Sequence, residues 1–352
     1  MAKVLMKGNE AIAESAIRHG CLHYFGYPIT PQTEIAEYMA KRMPKVGGVC
    51  LQAESEVAAI NMVLGAASAG ARAMTSSSSP GISLKCEGIS YIIGSDLPCL
   101  IVNIQRGSPG LGSIQPSQQD YYQATKALGH GDSQVPVLAP SSVQELADFT
   151  GLAFDIGDKY RTPVMLLADG ALGQMMEPVE LAPEGQAVLP EKPWAANGHE
   201  FKRKRNIINS LYIQPDELEK TVLERYKRYE QIEANEIRYE NYMTEDADII
   251  LVSYGITSRI CKTAVGMARQ KGIKAGLFRP ITLWPYPKKQ LLALADQAKK
   301  FLVVELNMGQ MVDDVKVSIE SKKPVCFFGR TGGMMPSPGD VLKAIESEGG
   351  AR

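Results

Sequence analysis

Short apolar runs alternate with amphipathic stretches between Met1 and Gly170. Runs such as Cys99–Ile104 carry no charged residue and are typical of strands that are buried on both faces of a parallel sheet. The predicted strands are Val4–Met6, Val49–Leu51, Ala71–Thr75, Cys99–Ile104, Val135–Leu138 and Val164–Leu167, and the predicted helices are Glu10–Gly20, Gln32–Met43, one from Glu56, Gly88–Gly94 and Val143–Ile156. Asn9 is the predicted N-cap of the first helix. This alternation predicts an α/β domain with a doubly wound parallel sheet.

The same alternation returns after Asp248 and predicts a second, smaller α/β domain. Its predicted strands are Ile249–Tyr254, Ala275–Phe278, Phe301–Leu306 and Val325–Phe328, and its predicted helices are Ser258–Gln270, Lys288–Gln297 and one after Gln310. A proline-containing stretch and, from Pro215, a long charged helix separate the two patterns, and this helix either bridges the domains or packs on a partner subunit. The predicted division is a first domain over residues 1–172, a linker over residues 173–245 and a second domain over residues 246–352.

Composition and charge narrow the classes of protein to consider. The net charge is -1 and 22% of the residues are charged, which gives no sign of nucleic acid or an anionic membrane as a partner. The sequence shows neither an apolar leader nor the roughly 20 apolar residues that span a bilayer. The six cysteines stand singly, without a C-x-x-C pair, which favours free thiols in a reducing cytoplasm over disulfides or a metal site on this chain. The basic run Lys202–Arg205 is short enough to be a solvated loop.

The stretch Tyr24–Pro31 is an aromatic strand followed by a loop with two prolines. Pro28 and Pro31 fix their own φ angles and push the residues before them into extended geometry. Such a stiff loop is suited to hold a side chain against a ligand, and Thr30 is the polar side chain that it presents. A helix N-cap at Thr30 is an equally good interpretation of the sequence.

Two carboxylates, Glu54 and Glu56, precede a run of small and apolar residues that ends at Gly70. Apolar positions recur there at three- and four-residue steps and predict a helix with one buried face. Carboxylates are favoured at a helix N-terminus by its free N–H groups and its dipole, so an acidic helix start is the simpler interpretation of this stretch alone. The polar loop Ser76–Gly81, between a strand and a helix, suits either an anion or cofactor contact or a plain connector.

Arg106 follows an apolar strand and is expected in the crevice at the carboxyl ends of the strands. A guanidinium group can bind a carboxylate there through two parallel hydrogen bonds, although a structural salt bridge or a surface position fits the sequence equally well. The segment Gly112–Asp132 is either a lid or a subunit contact. The sequence contains neither a G-x-G-x-x-G after a strand nor a P-loop motif, so it predicts no dinucleotide or P-loop nucleotide site.

Three spaced segments resemble the α-type subunit of 2-oxoacid:ferredoxin oxidoreductases. They are YPITP at Tyr27–Pro31, ESEVAAINMVLGAASAG at Glu54–Gly70 and NIQRGSPG at Asn103–Gly110. In the second half, LVSYG, GLFRPITLWPYP and FLVVELNMGQM are similar to the transketolase C-terminal-type domain of the same subunits. The resemblance implies a thiamine-diphosphate-binding domain of the pyrimidine type, followed by a transketolase C-terminal-like α/β domain.

The resemblance also implies roles for individual residues. Glu56 matches the glutamate that binds N1′ of the thiamine aminopyrimidine, and Glu54 is then structural. Thr30 matches the threonine near the oxo and carboxylate groups of the substrate. Arg106 matches the arginine that holds the substrate carboxylate, so Glu56, Thr30 and Arg106 are the expected catalytic residues. The positions expected to line the cofactor are Tyr27, Pro28, Ile29, Thr30 and Glu56, and no metal ligand is expected on this chain.

The motifs that the chain lacks imply partner subunits. Thiamine enzymes hold the diphosphate through Mg²⁺ with a GDG motif followed by an asparagine-containing segment, and this motif does not occur here. The resemblance therefore implies a β-type subunit that holds the diphosphate, Mg²⁺ and an iron–sulfur cluster, with the thiamine at the subunit interface. It also implies a γ-type subunit and a small ferredoxin-like delta subunit.

The reaction that the resemblance implies is CoA-dependent oxidative decarboxylation of a 2-oxoacid to an acyl-CoA and CO2, with ferredoxin as the electron acceptor. The motifs and the chain length favour 2-oxoisovalerate or another branched-chain acid, and 2-oxoglutarate is the alternative. Two other interpretations stay open. One is a thiamine enzyme of the transketolase or decarboxylase type that does not use ferredoxin, and the other is a non-catalytic subunit that has kept the fold.

Overall fold

Two sheets made largely of parallel strands organise the chain in a computed structural model that describes residues 3–349. The strands are β1 Val4–Lys7, β2 His23–Gly26, β3 Val49–Gln52, β4 Ala73–Ser77, β5 Cys99–Gln105, β6 Val137–Leu138, β7 Pro163–Asp169, β8 Met176–Val179, β9 Tyr239–Tyr242, β10 Ile249–Val252, β11 Ala275–Pro280, β12 Thr282–Trp284, β13 Lys300–Glu305 and β14 Val325–Gly329. The helices are α1 Gly8–Arg18, α2 Thr33–Arg42, α3 Glu56–Ser68, α4 Ser79–Gly94, α5 Tyr121–Lys126, α6 Val143–Tyr160, α7 Gly170–Gln174, α8 Pro215–Asn235, α9 Gly255–Gln270, α10 Lys288–Ala295, α11 Val312–Ser318 and α12 Pro338–Gly349, with a short 3-10 helix at Met43–Lys45.

The first sheet has seven strands in the order β12-β6-β7-β5-β4-β2-β3. All neighbouring pairs are parallel except β12 and β6, which are antiparallel. Side chains of β5 alternate between the two faces: Leu100 and Val102 pack in one apolar cluster with α1, α2 and α6, and Ile101 packs in another with α3 and α4. A parallel sheet with helices on both faces is doubly wound, and the predicted fold class is confirmed.

The second sheet has five strands in the order β14-β13-β10-β11-β9, and only β9 is antiparallel to its neighbour. One face packs against α9 and α12 through residues such as Val265 and Val341. The other face packs against α10 and α11, and its apolar cluster is continuous with the one beneath α3 and α4 of the first sheet. The two sheets therefore share an apolar core.

Three short strands and three helices, α5, α7 and α12, lie outside the elements predicted from the sequence. Strand β8 pairs with β1, β9 pairs with β11, and β12 joins the first sheet through β6. Tyr239, which lies on the charged stretch predicted to be helical, is in β9 and stacks on Phe278 with 5.6 Å between ring centroids. These strands form because distant partners complete their hydrogen bonds, which no local pattern reveals.

Helix α8 is the long charged helix that follows Pro215, and it packs on the first domain. Arg225 donates to Asp96 at 3.1 Å, and Arg228 also pairs with that carboxylate. The ring of Tyr229 packs edge-on against Trp284, the last residue of β12, with 5.6 Å between ring centroids. Helix α8 thus joins the first domain to β12, the strand through which the second half of the chain returns to the first sheet. Neither α8 nor another helix between Lys3 and Gly349 is long and apolar enough to cross a membrane.

A buried polar cluster joins the loop before α5 to the carboxyl ends of β10 and β13. We call its residues, Gln118, Thr257, Glu305 and Asn307, the Gln118 seam. The side-chain amide of Gln118 donates to the Tyr254 carbonyl oxygen at 2.9 Å and accepts from the Leu306 N–H at 3.0 Å. Asn307 donates to the Gln118 carbonyl oxygen at 2.7 Å. The segment Gly112–Asp132 therefore forms part of the contact between the two sheets.

Glu305 is the charged member of the Gln118 seam and is fully buried at the end of β13. Its carboxyl oxygens accept from the Met311 N–H at 3.1 and 3.0 Å and from the Asn307 amide at 2.8 Å. Burial raises the pKa of Glu305 to about 7, although these hydrogen bonds oppose the shift. None of the four side chains of the Gln118 seam has a buried polar atom without a partner among the described residues.

Candidate active site

Glu56 occupies the first position of α3, directly after the chain leaves β3. The Ser55 hydroxyl caps this helix by accepting from the Ala58 N–H at 3.2 Å. Glu56 is only 6% exposed, whereas Glu54, two residues earlier, lies at the surface. An ordinary acidic helix start would leave its carboxylate in water. Burial therefore distinguishes Glu56, as the candidate functional carboxylate, from Glu54.

The turn between β4 and α4 meets the Glu56 carboxyl group. We call Glu56, Ser77, Ser78 and Gly81 the Gly81 cradle. A Cβ atom at Gly81 would lie 2.1 Å from Ser77 Oγ and 2.9 Å from Glu56 Oε1. The Ser77 and Ser78 hydroxyls are buried without a hydrogen-bond partner among the described residues, and no donor between Lys3 and Gly349 bonds to the Glu56 carboxyl group. Because buried polar atoms rarely lack partners, these atoms point to a bound ligand.

The Gly81 cradle includes the first turn of α4, and this helix begins earlier than the sequence pattern predicted. The helix was predicted from Gly88, but it begins at Ser79, so the expected polar loop is split between the end of β4 and the first helical turn. Pro80 is compatible with this start because the first helical turn does not need its backbone N–H. The early start places Gly81 on the helix, opposite Glu56.

Lys85 lies one helical turn after Gly81 and is fully buried. Its Nζ atom donates to Thr75 Oγ1 at 2.8 Å and to the Ser76 carbonyl oxygen at 3.2 Å. Burial lowers the pKa of Lys85 to about 7, and the negative charge of Glu56 opposes this shift. A buried cation therefore lies within the electrostatic reach of the cradle carboxylate.

Arg106 and Thr30 are brought together at the carboxyl end of β5. Arg106 Nη1 donates to the Thr30 carbonyl oxygen and Nη2 to the Leu111 carbonyl oxygen, both at 3.0 Å. Arg106 is 8% exposed, so it is not a surface arginine, and its buried Nε has no partner among the described residues. Thr30 is exposed and does not cap α2, whose N-cap is Gln32.

Two buried side chains hold the proline loop in place. Asn9 Nδ2 donates to the Pro31 carbonyl oxygen at 2.8 Å, and the Ser76 hydroxyl donates to Gln32 Oε1 at 2.6 Å. The peptide bond between Thr30 and Pro31 is cis. The prediction that Asn9 is the N-cap of α1 is wrong, because Lys7 occupies that position and Asn9 turns towards the loop instead.

Asp120 fixes the start of α4 relative to β5. Its Oδ2 accepts from the Ser79 hydroxyl at 2.6 Å and from Asn103 Nδ2 at 2.9 Å. Burial raises the pKa of Asp120, while these two hydrogen bonds and the charge of Arg106 oppose the shift. The Ser79 hydroxyl also accepts from the Arg106 backbone N–H at 3.1 Å. The turn at Ser79 therefore bonds to the backbone of Arg106 and directly follows Ser77 and Ser78 of the Gly81 cradle.

Not every residue predicted for the site has a contact that ties it to Glu56. Pro28 is exposed, Tyr27 and Ile29 are half-buried, and none of the described contacts joins their side chains to the cradle. Sequence reasoning named the loop Ser76–Gly81 but missed Lys85 and Asp120. The signal for Lys85 is a lysine on the same helix face as Gly81, one turn later, which is visible only once the start of α4 is known.

The cradle suits the aminopyrimidine ring of thiamine diphosphate. The polar edge atoms of this ring need a carboxyl group and hydroxyls that have no other partner. Glu56, Ser77 and Ser78 provide these groups, and the absence of a side chain at Gly81 lets α4 approach Ser77 and Glu56 closely. Within the part of the chain that the structure describes, no group of three or more His, Cys, Asp or Glu could hold a metal ion.

Comparisons with known proteins match nearly the whole length of the chain. A family model described as "Pyruvate flavodoxin/ferredoxin oxidoreductase, thiamine diP-bdg" matches residues 14–244, and "Pyruvate:ferredoxin oxidoreductase core domain II" matches residues 247–341. The chain is 47% identical over 350 residues to ketoisovalerate oxidoreductase subunit VorB of Methanothermobacter thermautotrophicus, which covers 99% of each chain. It is 37% identical over 372 residues to 2-oxoglutarate synthase subunit KorA of the same organism, which covers 97% of each chain.

Solved structures with similar folds agree with these matches. The chain resembles 2-oxoglutarate:ferredoxin oxidoreductase from Magnetococcus marinus, solved with 2-oxoglutarate, coenzyme A and succinyl-CoA bound, with a TM-score of 0.85 and 27% identity. That match covers 99% of this chain and 65% of the other. An inactive tetramer of a split-gene transketolase matches with a TM-score of 0.58 and 14% identity over 97% of this chain. The second likeness concerns the fold alone.

Proposed function

This chain belongs to the 2-oxoacid:ferredoxin oxidoreductase family, as the resemblance of its motifs indicated, and we propose that it is the thiamine-binding α-type subunit of such a complex. The proposed reaction is CoA-dependent oxidative decarboxylation of a 2-oxoacid to an acyl-CoA and CO2, with transfer of two electrons to ferredoxin. The observation that carries the proposal is the Gly81 cradle, where one buried carboxyl group and two buried hydroxyls have no partner among residues 3–349.

We assign to Glu56 the hydrogen bond with N1′ of the aminopyrimidine. When bound, thiamine diphosphate supplies a nucleophilic carbon and an electron sink for decarboxylation. Glu56 can share a proton with the ring nitrogen because its carboxyl group is buried and available, and the Ser77 and Ser78 hydroxyls can bond to other polar atoms of the ring. Gly81 lets the start of α4 approach Ser77 and Glu56 closely, since any side chain there would collide with both residues.

Arg106 and Thr30 are the proposed binding groups for the 2-oxoacid. Two carbonyl oxygens orient the Arg106 guanidinium group, and its positive charge lies beside the exposed Thr30 loop. A fixed cation at this place would orient a carboxylate for attack at the neighbouring oxo carbon. The Thr30 hydroxyl would bond to the oxo or carboxylate oxygen of the substrate, and the residues Tyr27, Pro28 and Ile29 would form the wall of the cofactor pocket.

The proposed substrate is 2-oxoisovalerate or another branched-chain 2-oxoacid. The relative named as a ketoisovalerate oxidoreductase is 47% identical to this chain, whereas the relative named as a 2-oxoglutarate synthase is 37% identical. The second candidate is 2-oxoglutarate, which is bound in the solved relative from Magnetococcus marinus. A substrate with a second carboxylate would need a second cation in the pocket, so the two candidates can be separated by assay.

The site is completed by partner subunits in this proposal. The relatives are named as subunits, and we assign the diphosphate, Mg²⁺ and an iron–sulfur cluster to a β-type subunit. A γ-type subunit and a ferredoxin-like delta subunit would complete the complex, and ferredoxin would accept the electrons. We also assign the complex to the cytoplasm, because the six cysteines of this chain are free thiols, as is usual in a reducing compartment.

The complex, purified through a tag on this chain, tests the proposal. It is assayed under anaerobic conditions with thiamine diphosphate, Mg²⁺, CoA, a viologen dye and a panel of straight-chain, branched-chain and dicarboxylic 2-oxoacids. We expect CoA-dependent dye reduction that is fastest with branched-chain acids. Faster reduction with 2-oxoglutarate would reassign the substrate, and the absence of CoA-dependent reduction with every acid would contradict the proposed function.

A further inference from the structure

The proline loop, residues 27–32, connects β2 to α2 and carries Thr30. Strand β2 ends at Gly26 and α2 begins at Thr33, so the hydrogen bonds of the sheet and of the helix hold the chain only on either side of the loop. The proposed function gives the Thr30 hydroxyl a contact with the 2-oxoacid. Other contacts must therefore hold the loop in the shape that presents Thr30 to the site.

Gln32 makes two of these contacts from the end of the loop. Its side-chain Nε2 donates to the Tyr27 carbonyl oxygen at 3.3 Å, and its backbone N–H donates to the Ile29 carbonyl oxygen at 3.2 Å. Two further carbonyl oxygens of the loop bond to Arg106 and Asn9. Gln32 thus closes the loop by joining its last residue to its first.

The Gln32 side chain is itself held from below. Its Oε1 accepts from the Ser76 hydroxyl at 2.6 Å, and Ser76 Oγ lies 2.8 Å from the Tyr24 hydroxyl. Because the one hydroxyl proton of Ser76 is directed to Gln32, Tyr24 is the donor in the second bond. All three side chains are buried. We call Tyr24, Ser76 and Gln32 the Gln32 bridge.

The Gln32 bridge ends on β4, the strand that also carries part of the Gly81 cradle. Ser76 pairs with Val102 of β5 in the sheet, so its backbone is a fixed anchor. Ser77 of the cradle follows directly, and successive side chains of a strand point to opposite faces of the sheet. Strand β4 therefore holds a cradle hydroxyl on one face and the proline loop, through the Gln32 bridge, on the other.

We propose that Gln32 is a positioning residue that fixes the Thr30 hydroxyl relative to the Gly81 cradle by tying the proline loop to β4. This inference rests on the proposed function, because it gives Gln32 a role toward the substrate of the same site. Gln32 touches neither the substrate nor the cofactor in this proposal. It acts through Thr30, whose carbonyl oxygen also orients the Arg106 guanidinium group.

Steady-state kinetics of the complex, purified through a tag on this chain, test the role of Gln32. Gln32→Met keeps an unbranched side chain and removes both side-chain hydrogen bonds. We expect the KM for the 2-oxoacid to rise about tenfold while kcat stays within about threefold of the wild type, because a contact made in both the ground state and the transition state is weakened. The Kd of thiamine diphosphate, measured by calorimetry, should stay near the wild-type value, since the cradle is unchanged.

Shorter interruptions of the bridge should have graded effects. Ser76→Ala removes the anchor and leaves the bond from Gln32 to Tyr27, so KM should rise about threefold. Tyr24→Phe leaves both bonds of the Gln32 side chain and should cause a smaller rise. Gln231→Met, at an exposed position of α8, is the matched control and should keep the wild-type KM. If Gln32→Met does not fold, Ser76→Ala decides the test.

Hydrogen exchange reports on the loop without an activity assay. In Gln32→Met the backbone amides of residues 27–32 should exchange faster than in the wild type, because the loop has lost its tie to β4. The amides of β4 should keep their wild-type protection, since the sheet holds this strand. Unchanged exchange in the loop would overturn the role of Gln32.

The kinetic outcomes distinguish this inference from the proposed function. An unchanged KM in Gln32→Met with a lowered thermal midpoint, in a complex whose wild type oxidises 2-oxoacids, would show a purely structural role and would overturn the inference alone. Equal rises in KM and in the Kd of thiamine diphosphate would mean that Gln32 shapes the cofactor site, and this result would also overturn it. A wild-type complex that oxidises no 2-oxoacid would overturn both.

Discussion

The Gly81 cradle and the Gln118 seam are both buried polar clusters at the carboxyl ends of parallel strands. In the Gln118 seam every buried side-chain polar atom has a partner, and the Gln118 amide alone bonds to Tyr254, Thr257 and Leu306. In the Gly81 cradle the Ser77 and Ser78 hydroxyls have no partner among the described residues, and no hydrogen bond is described for the Glu56 carboxyl group. At the same type of position in the fold, one cluster is thus saturated in hydrogen bonds and the other is unsaturated.

This difference distinguishes a cluster that stabilises the fold from a cluster that is suited to bind a ligand. A saturated buried cluster stabilises the contact that it forms, because each group lost leaves another group without a partner. An unsaturated buried cluster costs free energy in the free protein, and a ligand that supplies the missing bonds recovers it. We therefore expect substitutions in the seam to change stability, and substitutions in the cradle to change cofactor binding and turnover.

The largest effect is expected for Glu56→Gln in the cradle. The amide cannot exchange a proton with the pyrimidine nitrogen, so kcat for 2-oxoacid oxidation should fall by about 10²–10⁴-fold, while the thermal midpoint of unfolding and subunit assembly stay unchanged. The matched control is Glu54→Gln, which changes an exposed carboxylate two residues away. Loss of turnover in the control, with normal turnover in Glu56→Gln, would shift the assignment by two residues.

A substitution in the seam should have the opposite profile. Gln118→Leu removes the partners of the Leu306 N–H and of the Tyr254 carbonyl oxygen, which should lower the free energy of unfolding by about 2–5 kcal/mol. Urea denaturation measures this change, and Gln231→Leu on the exposed side of α8 should stay within about 0.5 kcal/mol of the wild type. Wild-type stability with lost activity in Gln118→Leu would mean that the seam is itself a ligand site.

The raised pKa of Glu305 in the Gln118 seam predicts that the free energy of unfolding depends on pH. Its pKa is raised by burial from 4.5 to about 7 in the folded protein, so the folded state binds more protons than the unfolded chain between these values. The free energy of unfolding therefore falls as pH rises through this window, by up to about 3 kcal/mol from this residue. Glu305→Gln should flatten the fall, and Glu233→Gln at an exposed position of α8 should keep it. Equal slopes in all three proteins would contradict the assignment to Glu305.

The smallest effect is expected from adding one methyl group to the cradle. In Gly81→Ala the new Cβ would lie against Ser77 Oγ and Glu56 Oε1, which should cost about 1–3 kcal/mol in overpacking and weaken thiamine diphosphate binding measurably by calorimetry. Gly266→Ala is the matched helical control, because no atom lies within 4 Å of its Cβ. It should raise the free energy of unfolding by about 0.5–1 kcal/mol. Wild-type cofactor affinity in Gly81→Ala would place the ring elsewhere.

The fold class could be predicted from the sequence because a buried parallel strand has a local signature. The apolar run Cys99–Ile104 needs no knowledge of its neighbours to be recognised as a strand. Strands β9 and β12 lack that signature, since their hydrogen bonds come from residues far away in the chain. The start of α4 was placed too late because Pro80 and Gly81 are more often found in loops than in helices.

The site was predicted in part for a similar reason. The helix start at Glu56 and the strand end at Arg106 are visible locally, and the structure places both in buried positions. The roles assigned to them stay predictions. Lys85 could not be found, because a lysine in an amphipathic stretch ordinarily faces water. In the fold this lysine faces the sheet instead, where it bonds to Thr75 and Ser76 of β4.

Strand β12 has a consequence for how the protein is made. The first sheet ends at β6 until Thr282–Trp284 pairs with it, and this segment leaves the ribosome about 140 residues later. At roughly 5–20 residues per second, the growing chain exposes an unpaired strand edge for on the order of ten seconds. An exposed edge invites pairing with another chain. The first half of each nascent chain therefore carries this short unpaired edge until its own second half arrives to pair with it.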